Sequence, residues 1–155
     1  MAFAGCWGST LILAYAERYP ERVSEIVISG VTMTRPEKID WLCRGVGRLL
    51  PGAWETFRDA VPEAERGGDL VAVYDRLVNS PDEAVRVKAA RAWCAWEDAV
   101  IAHEALGHPG YYSDKTDDPL MAFVRICAHY FAHDAWLETD NSSVTRTGRP
   151  VFRRR

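Results

Sequence analysis

The sequence predicts an α/β protein: a strand, a sharp turn, a helix and a second strand at the front, followed by a mostly helical module. Three observations carry this reading. A short apolar opening, Ala2 to Gly5, runs into a turn of small residues around Cys6 and Gly8 and then into a helical pattern. A compact β-branched run, Ile26-Val27-Ile28, follows and is bounded by Gly30. From Arg35 onward, apolar residues recur at helical spacing almost without interruption.

The first helix is expected from Thr10 to Tyr19, ending at Pro20, whose ring cannot continue the backbone ladder. The run within Arg22 to Gly30 reads as a buried strand, and two strands joined by one helix make half of a parallel sheet. Ile39, Leu42, Cys43, Val46, Leu49 and Leu50 predict a helix weakened by Gly45 and Gly47 and ended by Pro51-Gly52. A short turn with Trp54 and Phe57 is expected next. Leu70, Val73, Tyr74, Leu77 and Val78 form the stripe of a further helix. Ser80, Pro81 and Glu83 read as N-cap, first helical position and capping-box partner of a helix whose face runs Val85, Ala89, Ala92, Trp93, Trp96, Val100, with a break at Pro109-Gly110. Asp118-Pro119 opens the last helix, with Phe123, Ile126, Cys127, Tyr130 and Phe131 on one side.

With 155 residues, 48% apolar, 26% charged and 6 Trp, the chain has the bulk for a buried core and is not of disordered composition. A net charge of −3 excludes a general nucleic-acid binder. That mean hides five arginines without an acid between Asn141 and Arg155, on a stretch without periodicity. The expected division is therefore 1–34 for the α/β part, 35–138 for the helical part and 139–155 for a disordered basic tail. None of the four cysteines forms a C-x-x-C pair, which excludes a zinc knuckle. No signal-peptide pattern opens the chain and no apolar run approaches the roughly 18 residues of a membrane span. These features predict a cytoplasmic protein with free thiols, no membrane contact and no cofactor.

The turn carries the chemistry. In Ala4-Gly5-Cys6-Trp7-Gly8 the central residue is flanked by the small neighbours that a strained strand-to-helix turn requires, and its side chain is held at a helix N-terminus. The spacing matches a nucleophile elbow, with the backbone N–H of Trp7 as an oxyanion donor. A longer series follows in order: Ser9-Thr10-Leu11, Ala14-Tyr15-Ala16, Pro20-Glu21-Arg22-Val23, Trp41, Pro51 with Trp54, Trp93-Cys94-Ala95-Trp96-Glu97 and His129-Tyr130-Phe131. Over residues 2–137 this series resembles the bacterial proline iminopeptidases (prolyl aminopeptidases), members of the α/β-hydrolase superfamily whose elbow reads G-G-S-W-G-S-T-L.

The resemblance implies a fragment of the α/β-hydrolase fold followed by a helical cap, and a serine-type hydrolase that releases N-terminal proline from peptides. Glu97 matches a cap glutamate that pairs with the substrate's cationic amine. Cys6 stands at the Ser nucleophile position, and Cys127 where the better-known members carry a second amine-binding Glu. Ser29 and Thr32 replace an Arg and a Phe of the substrate pocket, and Leu42 replaces an aromatic. The H-G-G-P-G oxyanion loop that precedes the elbow in the family, and the triad Asp and His that follow the cap, are not found in this sequence. His133 and Asp134 match no triad position. The expectation is an internal fragment, truncated and inactive alone.

Two alternatives stand beside it. One is a non-catalytic helical interaction module, self-associating through an exposed sheet edge. The other is a thiol hydrolase or acyltransferase using Cys6, which the lack of a matching His base disfavours against a small residue that simply fits the turn. His129 and His133, four apart, lack the Glu of H-E-x-x-H and a third ligand in view, so no metal site is predicted.

Overall fold

A computed structural model describes residues 1–32, 34–103 and 108–136. The chain divides into two compact units, Met1–Lys38 with the stretch from Asp134, and Ile39–His133. The basic segment 139–155 lies outside the described residues, as does its expected disorder.

The first unit is strand, helix, strand. β1 (Ala2–Cys6) leads into α1 (Trp7–Arg18), and a 3₁₀ turn at Pro20–Arg22 returns the chain to β2 (Ile26–Val31). The strands pair in parallel, Ala2 opposite Ile26 through Gly5 opposite Ser29, after which the register slips and Cys6 faces Val31. Gly30 is the extra residue in that slip, and its φ of 61° is the left-handed conformation that glycine adopts without a Cβ penalty.

The expectation of a buried strand is corrected. Val27 is 48% exposed and Val31 61%, while Phe3 on β1 is 70% exposed. The reason is physical: an apolar run on both faces suits a parallel sheet covered on both sides, whereas here two strands carry one helix. Among the described residues of this unit, Ser9, Thr10, Ala14, Thr34 and Ala135 are buried.

The second unit is helical. It comprises most of α2 (Pro36–Cys43), then α3 (Pro51–Asp59), α4 (Leu70–Val78), α5 (Glu83–Ile101) and α6 (Asp117–Ala132). α4, α5 and α6 pack pairwise and α3 lies on α5. Phe57 is stacked on Tyr74 with ring centroids 4.5 Å apart and on Trp96 at 5.5 Å, and Trp93 meets Tyr74 edge-on at 5.4 Å. The polar atoms of these rings are satisfied. The Tyr74 hydroxyl donates to the Phe57 carbonyl at 2.6 Å, Trp96 Nε1 to the Leu42 carbonyl at 3.1 Å and Trp54 Nε1 to the Cys43 carbonyl at 2.9 Å.

Several boundaries differ from expectation. Pro51 starts a helix rather than ending one, because a first-turn N–H is dispensable. The preceding segment tightens into a 3₁₀ turn, Gly45–Arg48, where a Cβ on Gly47 would lie 2.5 Å from the Trp54 ring. The N-cap of α5 is Asp82, whose carboxylate accepts from the Ala84 and Val85 N–H groups, while Ser80 Oγ, two residues earlier, accepts from Asp82 N. α5 closes at Ile101, ahead of Pro109-Gly110. On α6 the buried face is Leu120, Met121, Val124, Cys127, Ala128 and Phe131, which leaves Ile126 56% exposed. The stripe Leu70, Val73, Tyr74, Leu77 and Val78 is buried as expected.

Candidate active site elements

At the end of β1 the backbone turns sharply. Cys6 has φ 51° and ψ −130°, a conformation outside the regions that L-residues favour, and it is the N-cap of α1. Two close approaches explain its small neighbours. A Cβ on Gly5 would sit 3.1 Å from the Ser29 carbonyl oxygen, and one on Gly8 would sit 3.1 Å from the Ala4 Cβ.

A group of hydroxyls holds the turn against the end of β2. Ser9 Oγ donates to the Cys6 carbonyl at 2.6 Å and lies 3.3 Å from the Thr32 carbonyl, while Thr32 N–H donates to Ser9 Oγ at 2.9 Å. The Thr10 hydroxyl also donates to the Thr32 carbonyl, and Thr34 lies 3.5 Å from Thr10 Oγ1. The sequence does not reveal that Thr32 is the hub of these bonds; its strand-end position becomes meaningful only once α1 folds over it.

Cys6 is exposed, and its Sγ receives the Thr32 hydroxyl at 3.7 Å. No bond from a histidine to this sulfur is found among the described residues. Trp7 is the first residue of α1, where backbone N–H groups point outward along the helix axis. The structure therefore has Cys6 and Trp7 side by side on one turn. Ser29 lies in β2 opposite Gly5.

The other site candidates belong to the helical unit. Glu97 is half-buried on α5, and Trp93 Nε1–H, one turn earlier, donates to its Oε1 at 3.2 Å. Burial pushes the Glu97 carboxyl up to about 7; the Trp93 bond opposes this shift and the neighbouring Asp98 charge adds to it. Cys127 is buried on α6, a helix packed against α5. Leu42 lends its carbonyl to Trp96.

Asp98, which sequence reading passes over, has a different surrounding. Its carboxylate accepts from Tyr112 N–H at 2.7 Å and Ser113 N–H at 3.1 Å, as well as from the Ser113 hydroxyl. It pins the turn after α5 back onto that helix. The signal was the acid on an otherwise apolar face, but its donors lie in a loop that periodicity does not locate.

Two other free cysteines, Cys43 and Cys94, are inert by environment. Burial raises the Cys43 thiol well above its usual range and pushes Cys94 up to about 12, with nearby carboxylates adding to both shifts. No helix among the described residues is long and apolar enough to cross a membrane.

The raised Glu97 pKa makes stability depend on pH. Folded Glu97 titrates near 7 instead of 4.5, so between these values the folded state binds the extra proton and stability falls as pH rises through that window. Urea denaturation of Glu97→Gln should show a gain of about 1–2 kcal/mol at pH 8 and little change at pH 4. A gain equal at both pH values would contradict an uncompensated carboxylate.

Comparison with known proteins places the chain in a family. The α/β-hydrolase fold family matches residues 2–123. The chain is 38% identical over 142 residues to a proline iminopeptidase of Arabidopsis thaliana, covering 91% of this chain and 37% of that one. It is 42% identical over 135 residues to a probable proline iminopeptidase of Streptomyces coelicolor, covering 87% and 41%, and 36% identical over 151 residues to the proline iminopeptidase of Neisseria gonorrhoeae, covering 96% and 47%. The chain thus spans less than half the length of these relatives. With its strained strand-to-helix turn, parallel strand pair and helical unit, it belongs to the α/β-hydrolase fold family and is similar within it to the proline iminopeptidases.

Proposed function

We propose that this chain carries the nucleophile turn and the amine-recognition helices of a hydrolase that releases N-terminal proline from peptides. The observation that supports the reading most is the positive φ at Cys6, in a turn whose glycines, helix N-terminus and display of one side chain are those of a nucleophile elbow. In this reading Trp7 N–H faces the developing oxyanion. Glu97 takes the substrate's ammonium group: a half-buried carboxyl without a counter-charge among the described residues is a good acceptor for a cation, which would restore its ionised form. Cys127, on the α6 helix that packs against α5, is the second substrate-binding position in this reading. We place the protein in the cytoplasm, where its four free thiols would persist.

By itself the chain is inactive in this proposal. General-base activation needs a histidine at the nucleophile, and the bond to Cys6 Sγ comes from a threonine hydroxyl, which is no base near neutral pH. Titration of the helical unit's resonances with prolinamide should give saturable shifts around Glu97. Glu97→Gln should weaken binding at least about tenfold, N-acetylprolinamide should not bind, and proline p-nitroanilide should not be turned over. Equal binding of the acetylated compound would remove Glu97 from amine recognition, and turnover would overturn the claim of inactivity.

A second reading rests on the exposed apolar strands. Phe3, Val27 and Val31 present the kind of surface that a larger parallel sheet covers, so the β1–β2 pair accepts a further strand-bearing polypeptide, here a second copy. Light scattering should then show a concentration-dependent dimer that Val27→Lys dissolves. A monomer at all concentrations would contradict this.

A further inference from the structure

We propose that the helical unit carries a surface site for a divalent transition-metal ion, zinc in the first instance, held by Asp75 of α4 and by His129 and His133 at the end of α6. The sequence shows two histidines four apart and no third ligand. The fold supplies it by laying α4 beside α6. One ligand atom from each of the three residues lies within 4.8 Å of the others.

The distances suit a small ion. Zinc–ligand bonds of about 2.1 Å place neighbouring tetrahedral ligands roughly 3.4 Å apart. His129 Nδ1 and Asp75 Oδ2 are 3.6 Å apart, and the two imidazole rings are 4.5 Å apart between centroids. Two imidazoles and one carboxylate are the ligand set of zinc and its late-transition neighbours, whereas magnesium and calcium need more oxygens. Three protein ligands at the surface leave a fourth position for water.

The surroundings orient the ligands. Asn79 Nδ2 lies 3.4 Å from Asp75 Oδ1 and donates to the Asp75 carbonyl at 2.8 Å, so Oδ2 is the oxygen turned to His129. His133 Nδ1 lies 2.8 Å from the His129 carbonyl, which can only accept. Nδ1 therefore carries the hydrogen, and Nε2 has the lone pair that a metal requires. One turn earlier on α6, Arg125 Nε donates to the Val78 carbonyl at 3.0 Å, which fixes the two helices against each other beside the site. A bound ion would add a cross-link between α4 and α6.

The test is equilibrium dialysis of the untagged chain against zinc chloride, with metal content measured by mass spectrometry and thermal unfolding followed in parallel. The expected result is one zinc per chain, a Tm raised by about 5 °C or more at saturating zinc, and no shift with magnesium. Asp75→Asn and His129→Gln should each lower zinc affinity at least about tenfold while keeping the wild-type circular dichroism, and Cys6→Ala should bind as wild type. His129 is exposed, so its variant reports even where Asp75→Asn unfolds. Failure to retain stoichiometric zinc, unchanged affinity in His129→Gln, loss of zinc in Cys6→Ala or an equal response to magnesium would each overturn the site.

Discussion

The strained turn at Cys6 is the constraint on which the front of the molecule depends. A non-glycine residue at φ 51° and ψ −130° costs of order 1–3 kcal/mol, and the surroundings must hold it there. Ser9 and Thr10 do so by bonding to the Cys6 and Thr32 backbone from inside α1, each bond contributing about 0.5–1.5 kcal/mol net. These bonds couple three features that would otherwise be independent: where α1 starts, where the β1–β2 register slips, and which way the residue 6 side chain points. Gly5 allows the strands to come close, and Gly30 takes the positive φ at the register slip.

The helical unit solves another problem, the burial of polar atoms in an aromatic core. Tyr74, Trp54 and Trp96 each give their one hydrogen to a backbone carbonyl at a helix end, so the rings fill space and fix the ends at once. The adjacent acids Glu97 and Asp98 show how much donors matter. Asp98 accepts three bonds and acts as a structural clasp, whereas Glu97 accepts from Trp93 alone among the described residues and is left with a high affinity for protons. By the same logic the proposed amine-recognition role falls to Glu97 and the structural one to Asp98, its neighbour in sequence.

The sequence revealed the order of elements, the α4 stripe, the turn at Cys6 and the family, because each rests on local spacing. It misled where context decides. The Ile26-Val27-Ile28 run reads as buried since its residues are those of a doubly covered sheet, yet two strands and one helix leave it exposed. Ser80 looked like the α5 cap because Ser, Asp and Glu occur together there, and only the direction of the Asp82 carboxylate separates them. Thr32, Asp98 and Asp75 act through partners distant in sequence, from Ser9 to Tyr112 to His129, and spacing carries no trace of such pairings.

The proposed function depends on the display of residue 6, since a nucleophile position is useful only if the turn holds its side chain outward while the core keeps other thiols in. Iodoacetamide labelling of the native chain, read cysteine by cysteine by mass spectrometry, tests this most directly. Cys6 should label at least about a hundredfold faster than Cys43, Cys94 and Cys127, and the difference should vanish in denaturant. If Cys6 labels no faster than Cys94 in the native protein, the turn does not present its side chain and the account of the elbow is wrong.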